Sequence, residues 1–131
     1  MGYTNYWTPA KGLTTEQKLK MVAFADAVIK ETPVLIKGWE GTGKAERTVD
    51  VISLNGDKKT GDNHESFTLL NDDKWQFCKT ARKPYDEVVK ALLIYAKEIG
   101  VVSEWSFDGD ETEEEYATGM ELYKRALKKI K

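Results

Sequence analysis

Apolar residues recur at helical spacing in three segments of the chain, which predicts three amphipathic helices. The first begins near Thr14, because Thr14 and Gln17 have the spacing of a capping box, and it ends before Pro33. The second begins with Pro84 in its first turn and stops at Gly100. The apolar faces of these two helices carry Met21, Phe24, Ala25 and Val28, and Val88, Leu92, Tyr95 and Ile99.

The third helix is predicted to begin after Asp110 or Thr112, either of which can cap it. Its apolar side carries Tyr116, Met120, Tyr123, Leu127 and Ile130. Acidic residues stand at its start and basic residues at its end. This order complements the helix dipole, so the uneven charge of this segment is explained without a partner.

Short apolar and alternating segments predict strands between these helices, at residues 3–7, 34–39, 48–54, 66–70, 75–80 and 101–107. Turn-type sequences at residues 55–57 and 71–73 separate three of them, and strands joined by tight turns must be antiparallel. We therefore predict a single α+β domain over residues 1–131, with one mixed, mostly antiparallel sheet and about three helices on one face.

Composition and charge exclude several classes of protein. The chain has 131 residues and a formal net charge of −2, so no global field attracts nucleic acid or anionic membrane. No apolar stretch approaches the roughly 20 residues of a membrane span. The single Cys78 excludes an internal disulfide and a cysteine zinc cluster. We expect a cytoplasmic protein with no cofactor, and the sequence does not indicate its oligomeric state.

The segment Gly38-Trp39-Glu40-Gly41-Thr42-Gly43-Lys44 fits the spacing of a phosphate-binding loop, GxxxxGK. Two requirements of that motif are missing. Ala45 stands where a hydroxyl should bind Mg²⁺, and residues 47–54 have a strand pattern where a helix should follow. We therefore interpret the glycines as a hairpin turn between two strands.

Residues 77–86 contain the densest set of reactive side chains. Lys79, Arg82 and Lys83 precede the predicted start of the second helix, whose unpaired N–H groups favour an anion such as phosphate or carboxylate. The structural alternative is a solvated basic loop in which Asp86 stabilises the first turn and pairs with Arg82.

The segment Tyr3-Thr4-Asn5-Tyr6-Trp7 has aromatic side chains that can stack on a flat ligand such as a nucleobase. Half-buried packing on an edge strand explains the same residues without a ligand.

One histidine and several acids are candidate ligands for a divalent cation: Asp57, Asp62, His64, Glu65, Asp108 and Asp110. Turn chemistry in a polar loop accounts for most of these acids, so we predict no metal site.

Several stretches of the chain resemble a group of small bacterial and phage proteins that begin MGYTHYW and have no assigned activity. The similar stretches are residues 1–7, 53–57, 65–67, 77–86 and 106–110. Asn5 stands where the group has histidine, which argues against a metal-binding or proton-transfer role at this position. The resemblance implies a phage or mobile-element accessory protein, and it transfers no reaction.

Our leading hypothesis is a pocket for a small anionic, nucleotide-like molecule. The residues predicted to line it are Tyr3, Tyr6, Trp7, Asn55, Lys79, Arg82, Tyr85 and Asp108. The first alternative is a protein–protein interaction module of phage type, anchored by exposed Trp39, Trp75 or Trp105. The second is a metal-dependent hydrolase or nuclease, so whether the protein is an enzyme stays open.

Overall fold

A computed structural model describes residues 2–130 of the chain. The elements, in chain order, are β1 (Thr4–Pro9), α1 (Thr15–Glu31), a 3-10 turn (Trp39–Gly41), β2 (Glu46–Arg47), β3 (Ile52–Leu54), β4 (Phe67–Leu69), β5 (Gln76–Lys79), α2 (Asp86–Glu98), β6 (Val102–Phe107) and α3 (Glu114–Ile130). The α+β class predicted from the sequence is confirmed. Within residues 2–130, no helix has the length and apolar character needed to cross a membrane.

The strands form two three-stranded sheets, where the sequence predicted one sheet. In sheet A, β1 lies between β5 and β6, with Asn5 opposite both Cys78 and Phe107. In sheet B, β3 lies between β2 and β4. Every strand pairing within the described residues is antiparallel, so the mixed sheet is replaced by two antiparallel ones.

Residues 34–39 do not form the predicted strand. A single bridge joins Lys37 to Asn55, and the chain then enters the 3-10 turn. The chain packs closely around Gly38. A Cβ atom at this position would lie only 2.4 Å from the carbonyl oxygen of Lys44, so a larger residue would clash. The hairpin turn lies instead between β2 and β3, where the Thr48 hydroxyl accepts from the N–H groups of Asp50 and Val51.

The three helices pack together, and α2 also contacts β6. The capping box of α1 is present, because the Thr14 hydroxyl accepts from the Gln17 N–H and the Gln17 side chain accepts from the Thr14 N–H. The core between the helices and sheets includes a stacked pair, Phe24 and Tyr95, with centroids 4.1 Å apart. Helix α2 is buried on most of its surface, which places its polar residues inside the protein.

Candidate functional site

The N-terminal strand meets the segment 79–86 directly. The N–H groups of Thr80 and Ala81 both donate to the Tyr3 carbonyl oxygen, at 3.0 and 3.1 Å. Residues Thr4 and Lys79 are opposite each other across β1 and β5. The structure thus brings together five predicted site residues at this end of sheet A: Tyr3, Tyr6, Lys79, Arg82 and Asp108.

Arg82 does not present a free positive charge. Both Ala81 and Arg82 have positive φ, 53° and 60°, a conformation that is costly for side chains with a Cβ. The Arg82 guanidinium lies 4.2 Å from the centroid of the Tyr3 ring, 3.3 Å from the Glu113 carboxylate and 2.9 Å from that of Glu115. The hydrogen bond to Glu115 raises the pKa of Arg82. An anion would have to displace two carboxylates to bind here.

Behind Arg82 lies a buried polar cluster, which we call the Asp86–Lys90 cluster (Asn5, Thr80, Asp86 and Lys90). One carboxylate oxygen of Asp86 lies 2.7 Å from the Lys90 ammonium. The other accepts hydrogen bonds from the Thr80 hydroxyl and the Asn5 amide, at 2.6 and 2.8 Å. The Asn5 amide oxygen accepts from Lys90 at 3.2 Å. The cluster satisfies its own hydrogen bonds and charges.

Aromatic rings complete the surroundings of Lys90. Its ammonium lies 4.4 Å from the centroid of Tyr3 and 4.7 Å from that of Phe107. Burial lowers the pKa of Lys90, although Asp86 acts in the opposite direction. Burial also raises the pKa of Tyr3, whose hydroxyl has no hydrogen-bond partner within the described residues. Sequence reasoning missed Lys90, Asp86 and Asn5 as one unit.

A groove of about 310 Å³, the Arg82 groove, opens beside this cluster. Its lining includes Arg82 and Lys83 but also Asp86, Glu87, Glu114 and Glu115. Acidic side chains outnumber basic ones there, which opposes the binding of an anion. Sequence reasoning placed the anion at this end of the domain, and the charges of the groove do not favour it.

The other predicted site residues have structural roles. Trp7 is buried in the core, with its ring 5.0 Å from Phe67. The hydroxyl of buried Tyr85 donates to the Glu65 carbonyl oxygen, and burial raises its pKa. The amide of buried Asn55 bonds to the His64 carbonyl oxygen, the Ser66 hydroxyl and the N–H groups of Gly56 and His64. These three side chains are occupied by packing and hydrogen bonds inside the fold.

The candidate metal ligands do not form a site. Asp108 accepts from the Tyr6 hydroxyl at 2.7 Å and from the Thr4 N–H at 3.0 Å, while His64 Nδ1 lies 2.7 Å from the Lys79 carbonyl oxygen. Within residues 2–130, no group of three or more His, Cys, Asp or Glu side chains is arranged to hold a metal ion. The described residues thus give no support to the metal-dependent hydrolase alternative.

A basic cavity lies at the glycine loop, which we define as residues 38–44. This lysine cavity of about 470 Å³ is lined by Lys37, Lys58 and Lys59, by Gly41–Gly43 and by one acidic residue, Asp57. No ion pair within residues 2–130 involves any of the three lysines. Sequence reasoning interpreted the glycines as a turn and the lysines as a polar loop. The two segments meet through the bridge between Lys37 and Asn55 and through the Lys58 N–H, which donates to the Gly41 carbonyl oxygen at 3.1 Å.

An aromatic cavity of about 600 Å³ adjoins the glycine loop. Trp39, Phe77, His64 and Asn63 are among its lining residues. The two aromatic side chains are largely exposed, Trp39 at 59% and Phe77 at 52%. Lys58 lines both this cavity and the lysine cavity. The two cavities therefore share a wall, and one is basic whereas the other is aromatic.

Comparison of the chain with family models, curated proteins and solved structures gives no match.

Proposed function

We propose that this protein binds a small anionic ligand that carries phosphate groups, and that the ligand occupies the lysine cavity. The observation that carries the proposal is the uncompensated charge of the cavity. Three lysines and one carboxylate line it, and these lysines have no ion-pair partner within the described residues. A concave site with excess positive charge raises the local concentration of anions and stabilises them when bound.

The glycine loop supports the proposal because it gives the lysines a rigid wall. A Cβ atom on Gly41 would lie 2.8 Å from Asn63 Cβ and 2.9 Å from the Gly56 carbonyl oxygen, so the loop packs closely on its neighbours. Gly43 has φ of 65°, and a Cβ atom there would contact nothing within 4 Å. Its N–H group has no hydrogen-bond partner within residues 2–130, and such N–H groups are the donors that phosphate prefers in glycine-rich loops.

The test is a calorimetric titration of the purified protein with pyrophosphate at low ionic strength, where electrostatic attraction is least screened. We expect binding that falls about tenfold or more in Lys58→Gln and in Lys59→Gln, because each variant removes one cation from the cavity. Lys79→Gln is the matched control, since Lys79 has no ion pair within the described residues and does not line this cavity. Absence of binding, or an equal loss in Lys79→Gln, would overturn the proposal.

A second candidate function is protein–protein interaction through exposed aromatic residues. Trp75 is 56% exposed and stacks on Tyr6 with centroids 6.0 Å apart, and Phe77 lies 5.6 Å from Trp75. Large exposed aromatic side chains are typical anchors of interfaces. Trp75→Ala would then abolish capture of a protein partner while leaving pyrophosphate binding intact. Both functions are compatible with a phage or mobile-element accessory protein. That setting is supported by the sequence resemblance alone.

A further inference from the structure

We infer that the ligand is a nucleotide, with its phosphates in the lysine cavity and its base in the aromatic cavity. This inference rests on the proposed function and names the class of ligand. Its first support is the shared wall. Lys58 lines both cavities, and the 3-10 turn begins with Trp39 in the aromatic cavity and ends with Gly41 in the lysine cavity. One molecule with a charged end and a flat end fits this arrangement.

The second support is the chemistry of the aromatic cavity. Trp39 and Phe77 both line it and are each more than half exposed, and a base can stack on aromatic rings of this kind. His64 and Asn63 add polar atoms to the same lining. His64 uses Nδ1 for the Lys79 carbonyl oxygen, so its Nε2 is the ring nitrogen left to bind a base edge. Asn63 donates through its amide nitrogen to the Glu40 carbonyl oxygen, which leaves its amide oxygen as an acceptor.

The third support is the contrast in charge between the cavities. Glu40 and Glu65 line the aromatic cavity, so phosphates are repelled from it and directed to the lysine side. Within the described residues Glu40 makes hydrogen bonds only through its backbone and forms no ion pair, so its carboxylate can accept from an exocyclic amine of a base. A cavity of about 600 Å³ is much larger than a phosphate group requires, but it is within the usual range for a small organic ligand.

The experiment compares the affinity of the whole protein for pyrophosphate, adenosine, guanosine, ATP and GTP by calorimetry. We expect at least one nucleotide to bind about tenfold or more tightly than pyrophosphate, because stacking and base-edge contacts add to the phosphate contacts. Trp39→Ala should remove this advantage and leave the affinity for pyrophosphate within about twofold. Leu19→Ala is the control, because Leu19 is a similarly exposed apolar side chain on α1 that lines neither cavity.

The outcomes separate the two proposals. If pyrophosphate binds and no nucleotide binds more tightly, the inference fails while the proposed function stands. An equal loss of pyrophosphate and nucleotide binding in Trp39→Ala also overturns the inference, since the indole would then support only the loop. If neither pyrophosphate nor any nucleotide binds, both fail. The far-ultraviolet circular dichroism spectrum of each variant shows whether it is folded. Because Trp39 is exposed, we expect Trp39→Ala to fold.

Discussion

The Asp86–Lys90 cluster and the lysine cavity are both polar, but the charges of the cluster are paired whereas those of the cavity are not. In the cluster, each charge is buried and has a partner, with Lys90 fully buried and 2.7 Å from Asp86. In the lysine cavity, three cations face one carboxylate and no ion pair within the described residues involves them. A closed network stabilises a specific arrangement of elements, whereas uncompensated charge next to solvent is available to a ligand.

This difference shows that a concentration of charged and polar residues in the sequence does not mean that their charges are free in the fold. The segments richest in such residues, 3–7 and 77–86, meet as the sequence suggested, but many of their polar groups bond to one another. The lysines near the glycine loop lie in unremarkable polar sequence. Partners within the fold, which only the structure shows, decide which charges are free.

The largest expected effect comes from breaking the buried pair. Asp86→Ala leaves the Lys90 ammonium buried without its counter-ion, and we expect the free energy of unfolding to fall by about 3–5 kcal/mol. Urea denaturation measures it. The double variant Asp86→Asn with Lys90→Met should recover much of this loss, because it removes both charges together.

The matched control is Glu121→Ala, which breaks the exposed pair of Glu121 and Arg125 at the same spacing of four residues on a helix. Exposed pairs contribute little, so its effect should be far smaller than that of Asp86→Ala. Similar losses in both variants would show that Asp86 and Lys90 are not buried as a pair.

The next effect tests the rigid wall of the lysine cavity. Gly41→Ala introduces a Cβ atom 2.8 Å from Asn63 Cβ at φ of 87°, and we expect it to cost about 2–4 kcal/mol of unfolding free energy and to weaken pyrophosphate binding. Gly43→Ala has positive φ but open space around the new methyl group, so it should cost only about 1 kcal/mol. Both are measured by urea denaturation, and equal costs would contradict the close packing of Gly41.

Alkaline pH tests the buried groups next to the cluster. Burial raises the pKa of Cys78 from an ordinary value of 9.0 to about 12. The folded state therefore keeps a proton that the unfolded state loses, and this stability is complete below about pH 9 and declines as pH rises toward 12. One such group contributes a slope of about 1.4 kcal/mol per pH unit. Cys78→Ala should flatten the decline by about that slope in urea denaturation between about pH 9 and 10.5.

Lys90 contributes with the opposite sign, because burial lowers its pKa. The folded state binds this proton less well than the unfolded state, so its contribution to stability increases as pH rises from the lowered pKa toward 10.5. Lys90→Met removes that increase, and its stability should decline more steeply with pH than that of the wild type. A Lys90→Met variant with an unchanged slope would argue against burial of the ammonium.

The smallest effect is expected at Arg82. Its guanidinium is half exposed and paired with Glu113 and Glu115, so Arg82→Ala should leave the affinity for pyrophosphate within about twofold. Calorimetry beside Lys58→Gln makes the comparison direct. A large loss in Arg82→Ala alone would return the anion site to the Arg82 groove.

Local sequence signals predicted the features that depend on neighbouring residues. The capping box of Thr14 and Gln17 lies within one turn, and it forms as predicted. The prediction of a strand at residues 34–39 was wrong. Gly38 and Gly41 pack closely against Lys44, Gly56 and Asn63, which are separate in sequence from the predicted strand. Such contacts between separate segments leave no periodic pattern for sequence reasoning to detect.

The burial of Lys90 was also missed, since a lysine on a helix is normally exposed. Two signals were present in the sequence. Asp86 and Lys90 are four residues apart, and the intervening Val88 and Val89 together with Ala91 make this helix apolar around its circumference. The third partner, Asn5, could not be inferred because it comes from β1, at the other end of the chain.

The position of β1 in the middle of sheet A has a consequence for the order in which the chain folds. Its partners lie roughly 70 and 100 residues later in the sequence, whereas sheet B joins strands close in the chain. Pairings between distant segments carry the larger entropic cost of loop closure, so they form late and slow folding. We expect sheet B and the helices to form first. The first strand is then among the last elements to dock, and its arrival completes the counter-ion environment of Lys90.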